Sequence, residues 1–329
     1  MQYRQLGRSD LRVSVVCMGC WAIVDEGTWG PQDESTAIAA IQAALDAGIT
    51  FFDTAEGYGD GRSEELLARA LAGRRREAVV ATKVSAAHHR PADLKAACER
   101  SLRRLQSDHI DLYLLHWPSR EVPFAETWRA MEDLQRDGKV RVVGVSNFAT
   151  GDLADLLAVG RPEANQLPYS LLWRAIEHEV LPACLNEGIG VTCYSPLAQG
   201  LLTGKFRTAD EVPAGRARTR HFAGGRPEAR HRERGAESET FAALGRIRTV
   251  AEELGWPMVH VALAWLLAQP GVSSVIAGAR SPAQVRENAS AGDRRLPDAV
   301  VKALSEATEE LKEKFGANPD LWQTESRMR

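Results

Sequence analysis

The chain has 329 residues, 44% hydrophobic and 26% charged, with a formal net charge of -3. That balance supplies no global basic field to attract nucleic acid or an anionic membrane surface, and the length suits one large domain or two small ones. No run approaches the roughly 20 consecutive apolar residues of a membrane helix, and the opening MQYRQLGRSDLRVS lacks the apolar core of a signal peptide.

The expected setting is therefore cytoplasmic, with neither membrane nor nucleic acid as partner. Five cysteines, an odd number in a chain of this size, fit reduced and buried thiols there. Cys17-Met18-Gly19-Cys20 spells a CxxC motif, but no second cysteine pair accompanies it, and no metal is expected.

In chain order, Met1–Ser14 reads as a short hairpin ahead of the first strand, placed to close the bottom of a barrel. Apolar runs rich in Val, Ile and Leu then recur at Val15–Met18, Ile49–Phe52, Val79–Thr82, Asp111–Leu115, Val142–Val145, Asn165–Pro168, Gly190–Tyr194 and Val272–Ile276. Continuous rather than alternating apolarity marks parallel strands covered on both faces. Between them the spacing predicts amphipathic helices: Ser35–Ala47 with Asp33 as N-cap and Gly48 as stop, Ser63–Leu71 with Ser63 as cap, and a helix from Pro91 to about Leu105. Val259–Ala268 reads as a buried helix.

Eight strands alternating with helices predict either a (β/α)8 TIM barrel or a doubly wound sheet. The doubly wound dinucleotide fold requires G-x-G-x-x-G after its first strand, and the chain contains no such string. A P-loop is absent too, since Gly200-Leu-Leu-Thr-Gly204-Lys205-Phe206 has the wrong glycine spacing and Phe where Ser or Thr belongs. The expectation is a single (β/α)8 barrel over 1–329, with an N-terminal β-hairpin and long loops at its C-terminal face. One stretch, 205–239, breaks the rhythm with many Arg, Gly and acidic residues. It reads either as a flexible solvated loop or as a mobile cover over a phosphate-bearing ligand, and these readings are compatible.

Function in a barrel gathers where the strands end at the C-terminal face. Those ends supply Asp53 in FFDTAEGYG with Tyr58 just beyond it, Lys83 in ATKV, and His116 in LLHWP. The four suit one task, delivering a proton to a carbonyl oxygen while a hydride arrives at carbon. A tyrosine titrates near 10, and a neighbouring ammonium lowers that value by stabilising the phenolate. Asp53 is then the partner of Lys83, Lys83 the tuner of Tyr58, Tyr58 the general acid and His116 the polariser of the substrate oxygen. Taken singly they read as a cap, a loop packer, a surface charge and a barrel histidine, and only the set makes a mechanism.

These motifs resemble those of the aldo-keto reductase family. GITFFDTAEGYGDGRSEELL is similar to its Asp-and-Tyr motif, ATKV to its lysine motif and DLYLLHWP to its histidine motif, in the family's order and over nearly the whole chain. The resemblance is to bacterial reductases and the related potassium-channel β-subunits more than to the aldose-reductase branch. It implies NADPH-dependent reduction of an aldehyde or ketone, with Ser146, Asn147 and Gln166 hydrogen-bonding the nicotinamide carboxamide and Tyr194 stacking on the ring. Ser195, Pro196, Leu197, Gly200 and Lys205 are expected at the pyrophosphate, and Gly278, Ala279, Arg280, Gln284 and Asn288 at the adenosine end.

Where the aldose-reductase branch carries Lys-Ser, this chain has Gly278-Ala279. Arg280 is then the cation left for an adenosine 2′-phosphate, the alternative being a surface or capping charge. Trp21 and Trp117 are expected to face a small carbonyl substrate, while Trp29 and Trp322 read as mouth or packing residues. His88-His89-Arg90 reads as a solvated loop or a lure for a substrate anion. Two rival readings are an NADPH-binding sensor with little turnover and a barrel isomerase or lyase using a phosphate site alone. Substrate identity and oligomeric state are not encoded in these motifs.

Overall fold

The computed structural model describes residues 1–329. The chain opens with an antiparallel hairpin, β1 (Tyr3–Gln5) and β2 (Arg12–Ser14). Eight parallel strands follow: β3 (Val16–Gly19), β4 (Phe51–Asp53), β5 (Val79–Val84), β6 (Ile110–Leu115), β7 (Val140–Ser146), β8 (Ala164–Pro168), β9 (Gly190–Tyr194) and β10 (Val272–Gly278). They pair in sequence order, and β10 returns to β3 to close the barrel. The strand ends agree with the apolar runs to within two residues because helices cover one face of each strand and the barrel interior the other.

Two buried clusters divide the strand side chains. The inner one joins Leu6, Leu11 and Val13 of the hairpin to Cys17, Phe51, Ala81, Leu112, Leu114, Val142, Ala164 and Ile276. The hairpin thus plugs the N-terminal end of the barrel. Gly144 of β7 belongs to the tightest part of this interior, where a Cβ would lie 2.7 Å from the Leu114 side chain and 2.8 Å from the Ala164 carbonyl. The outer cluster lies between barrel and helices and contains Cys20, whereas Cys17 belongs to the inner one. The two thiols of the CxxC string therefore face opposite sides of the sheet. All five cysteines are free and buried.

Helix signals act as expected at several ends. Asp33 caps Glu34–Asp46 by accepting from Thr36 N–H at 2.7 Å, Pro91 opens Pro91–Leu105, and Met258–Leu267 is buried on every side. Ser63, however, does not cap its helix. That helix is Arg62–Ala70, and its N-terminal flank is Gly61, whose φ of 93° lies in the left-handed region. A side chain at Gly61 would collide with the Arg104 guanidinium at 2.2 Å. Ser63 instead turns inward, accepting from Thr54 Oγ1 at 2.8 Å and donating to the Cys20 carbonyl at 3.0 Å.

The stretch after β9 is anchored rather than solvated along its length. Phe206, Val212, Ala217, Phe222 and Ala236 are buried, and His221 donates to the Leu172 carbonyl at 2.9 Å. Arg220 pairs with Glu233 at 3.0 Å and also reaches the carbonyls of Asn318 and Asp320, which fastens this stretch to the C-terminal tail. Its anchors are irregularly spaced, so no helical or strand period announces them. From 237 the chain is helical, as Glu237–Leu254. No helix is long and apolar enough to cross a membrane.

Candidate active site

The C-terminal ends of the strands surround a cleft of about 840 Å³. Asp53 stands at the end of β4, Lys83 inside β5, His116 just past β6, and Tyr58 in the loop after β4. Lys83 is fully buried, and its three ammonium protons have three partners. Nζ donates to Asp53 Oδ1 at 2.7 Å, to the Thr54 carbonyl at 2.8 Å and to Tyr58 Oη at 3.4 Å. Gln166 of β8 crosses the barrel to donate from Nε2 to the other Asp53 oxygen at 2.7 Å. The Tyr58 and His116 rings meet edge to face, their centroids 5.9 Å apart, both on the wall of the cleft.

Electrostatics give these groups distinct states. Burial opposes the charge of Lys83, yet Asp53 and the Tyr58 oxygen hold its pKa above the ordinary ammonium value. Burial raises the pKa of Tyr58, and Lys83 offsets that rise without reversing it. The expected net lowering of the tyrosine therefore does not occur, because burial outweighs the lysine and Asp53 adds to it. Burial first, then Lys83 and Arg327, push His116 down to about 3. Near neutral pH the site holds a charged lysine, a protonated tyrosine and a neutral imidazole.

The loop that carries Tyr58 is fixed from behind. The Glu56 carboxylate accepts from Ser85 N–H and bonds His88 Nδ1, each at 2.8 Å, and pairs with Arg100 at 3.2 Å. Burial disfavours the charge on Glu56, but the Ser85 and His88 contacts hold its pKa below the usual range. His88 is thus tied to the catalytic loop. His89 is wholly buried with both ring nitrogens unpartnered, and burial lowers it to about 4. The solvated loop that the sequence suggested holds at Arg90 and in part at His88, whereas His89 turns inward.

Every other expected site residue lines the same cleft: Ser146, Asn147, Gln166, Tyr194, Ser195, Pro196, Leu197, Gly200, Lys205, Gly278, Ala279, Arg280, Gln284 and Asn288, with Trp21 and Trp117. Several have their polar atoms engaged within the protein. Asn147 Nδ2 donates to the His116 carbonyl at 2.9 Å and to Ser146 Oγ at 3.0 Å, while Oδ1 accepts from Tyr194 Oη at 2.9 Å. Its amide therefore has both protons taken, and Gln166 has its amide nitrogen on Asp53. Of the two, Gln166 keeps its carbonyl oxygen available toward the cleft.

Arg280 departs furthest from expectation. Its guanidinium bonds Gln32 Oε1 at 2.7 Å, the Gly30 carbonyl at 3.0 Å, and the carbonyls of Trp29 and Pro31. It fastens the loop after β3 over one rim of the cleft, with its donors on neutral oxygens and its charge uncompensated. Lys205 and Arg216 stand nearby in the same wall, and burial lowers the pKa of both, with repulsion from Arg216 added for Lys205 and from Arg280 for Arg216. Neither has a carboxylate within ion-pair distance, so three cations converge on one region with no balancing anion.

Backbone geometry adds to this. Ser195, Ala198, Gln199 and Gly200 all have left-handed φ, at 53°, 46°, 56° and 93°. The turn is closed internally by Ala198 N–H on the Ser195 carbonyl and Gly200 N–H on the Leu197 carbonyl, each at 2.9 Å, and non-glycine residues hold left-handed φ only under constraint. The three cations fit a dinucleotide phosphate, whereas the buried, unpartnered Gln199 Oε1 is an acceptor and calls for a donor instead. Sequence reading missed Gln199, Thr203, Arg216, Arg218, Glu287 and Arg327, which also line the cleft. No periodic signal marks Arg216 and Arg218, which lie in a run of turns where Arg216 and Ala217 N–H bond the Pro213 carbonyl at 2.8 and 3.0 Å.

The comparisons with known proteins agree with this geometry. The model of the Aldo/keto reductase family matches residues 15–309. A protein named NADH-specific methylglyoxal reductase from Escherichia coli is 34% identical, the match covering 93% of this chain and 98% of that one. A probable voltage-gated potassium channel subunit beta from Oryza sativa is also 34% identical, over 89% of this chain and 92% of its own length. A solved aldo-keto reductase from Klebsiella pneumoniae in complex with NADPH superposes with a TM-score of 0.73 at 32% identity, covering 93% of this chain and 94% of that one.

Proposed function

This chain belongs to the aldo/keto reductase family of oxidoreductases, and from that premise we propose that it reduces an aldehyde or ketone to an alcohol with NADPH, Tyr58 delivering the proton. The carrying observation is the Tyr58 hydroxyl, which opens on the cleft while the charged Lys83 stands behind it at 3.4 Å. When bound, the nicotinamide supplies a hydride to the carbonyl carbon.

Tyr58 gives its proton to the oxygen, and Lys83 stabilises the phenolate left behind. Asp53 keeps Lys83 charged and aimed, and Gln166 fixes Asp53. His116, neutral at the operating pH, donates a ring N–H to the carbonyl oxygen and holds it toward Tyr58. A cationic imidazole would compete as the acid, and its pKa of about 3 removes that competition.

The preference for NADPH over NADH rests on Lys205, Arg216 and Arg280, whose joint charge suits one phosphate more than NADH carries. The name of the Escherichia coli relative points the other way, so the cofactor is the first quantity to measure. The test is loss of NADPH absorbance with small, aromatic and sugar aldehydes beside a parallel NADH series. Oxidation that depends on aldehyde, faster with NADPH, is the expected result. Aldehyde-dependent oxidation that is faster with NADH overturns the cofactor assignment. Similarity to the channel subunit favours a second reading, a cofactor-binding protein with little turnover. It gains if NADPH binds and no aldehyde consumes it.

A further inference from the structure

The stretch after β9 carries two arginines, two residues apart, that serve different parts of the cleft. Arg216 stacks on Trp29 with its guanidinium carbon 4.9 Å from the ring centre, on the side of Lys205 and Arg280. Arg218 lies between two indoles, 5.4 Å from Trp21 and 5.2 Å from Trp322. Trp21 also stands beside Tyr58, with ring centres 6.4 Å apart. One indole therefore separates the Arg218 guanidinium from the hydroxyl assigned to the reaction.

Some partly buried arginines of this molecule have carboxylate partners, whereas Arg216 and Arg280, like Arg218, have none. Arg174 has Glu177 and Glu309, Arg220 has Glu233, and Arg327, which lies over Trp117, is paired with Asp320. Arg218 has none within ion-pair distance and makes no side-chain hydrogen bond. Its Nε is enclosed without a partner. Two aromatic faces stabilise the flat surfaces of the cation, but its N–H edge is left unsatisfied. The two nearest acids do not close that gap. Asp25 is engaged with Thr28, accepting from its N–H at 3.2 Å and its hydroxyl at 2.8 Å, and Glu228 is exposed at the rim.

We propose that Arg218 is a specificity-determining residue that binds an anionic group at the non-reacting end of the carbonyl substrate, making carboxylated aldehydes the preferred class. A carboxylate meets a guanidinium edge through two parallel hydrogen bonds, and Trp21 and Trp322 hold that edge in place for it. The carbonyl then sits at Tyr58 and His116, with a short apolar spacer along Trp21. Glu228 competes weakly for the same guanidinium and opposes an incoming anion. The inference rests on the carbonyl-reductase reading above and adds the substrate's chemistry to it.

The test compares 4-carboxybenzaldehyde with its methyl ester, which has nearly the same shape and no charge, using the full chain and NADPH. Wild type is expected to favour the carboxylate in kcat/KM by about 10-fold or more. Arg218→Met is expected to remove that preference by lowering only the carboxylate value, while Arg218→Lys retains part of it. Glu228→Gln is expected to raise the carboxylate value and leave the ester unchanged. Equal or better use of the ester by wild type overturns the proposal. So does an Arg218→Met variant that loses both substrates equally, which marks a packing role. Should neither aldehyde consume NADPH, the reductase reading fails separately. Calorimetric titration with 4-(hydroxymethyl)benzoate against its methyl ester then decides the anion site, equal affinities refuting it.

Discussion

At the N-terminal end of the barrel, Leu6, Leu11 and Val13 of the hairpin press on inward apolar side chains from seven barrel strands. At the C-terminal end five of the eight strands carry Asp53, Lys83, Ser146, Gln166 and Tyr194 at or near their ends, beside left-handed turns and cations without counter-ions. Close packing at one end supplies stability that the other end gives up as strain, buried charge and unmet hydrogen bonds. A barrel can sustain such a site because the two ends draw mostly on different side chains of shared strands, meeting at Ile276 and Tyr194.

The sharpest way to break this comparison is to alter one atom at the catalytic end. Tyr58→Phe removes only the hydroxyl, and its expected effect is a fall in kcat of about 100- to 10,000-fold with cofactor affinity retained. Stopped-flow kinetics beside fluorescence titration of NADPH measures both, and near-normal turnover sinks the assignment of Tyr58. The converse substitution belongs at the sealed end. Leu11→Ala is expected to cost about 2–5 kcal/mol of unfolding free energy, read by denaturant titration, while kcat/KM of the folded protein stays unchanged.

A smaller effect separates the ends by acidity. His89, His116 and His221, all in or beside loops of the catalytic end, have pKa values lowered to about 4, about 3 and about 4, chiefly by burial. In the unfolded chain each titrates near 6.5, so from there down to about 4 the unfolded state binds more protons than the folded one. Stability is therefore lost as pH falls through that window and is unaffected above it. Hydrogen exchange at pH 5 and pH 7, corrected for intrinsic rates, is expected to show the catalytic-end loops opening in acid before the hairpin does. Uniform opening of both ends removes the distinction.

Much of this was legible in the chain itself. Parallel strands buried on both sides leave continuous apolar runs, so the barrel could be read from Val79–Thr82 or Gly190–Tyr194 without any alignment of pattern to turn. Asp53, Tyr58, Lys83 and His116 were readable because each follows or ends such a run. Partnership was not. Nothing local says that Gln166 donates across the barrel to Asp53, or that Arg280 donates to the carbonyls of residues 29–31. Those contacts join residues more than a hundred positions apart, and one-dimensional patterns carry no distance of that kind. Ser63 failed as a cap for a local reason, since the left-handed turn at Gly61 starts the helix one residue earlier.

Part of the cleft wall comes from two excursions that leave the barrel and are tied to each other through Arg220, one contributing Arg218 and the other Trp322 and Arg327. Neither excursion supplies a barrel strand. Inherited change can therefore rewrite what enters the cleft without touching what reacts in it: a new residue at 218 or 322 offers a descendant chain a different diet on an unaltered engine.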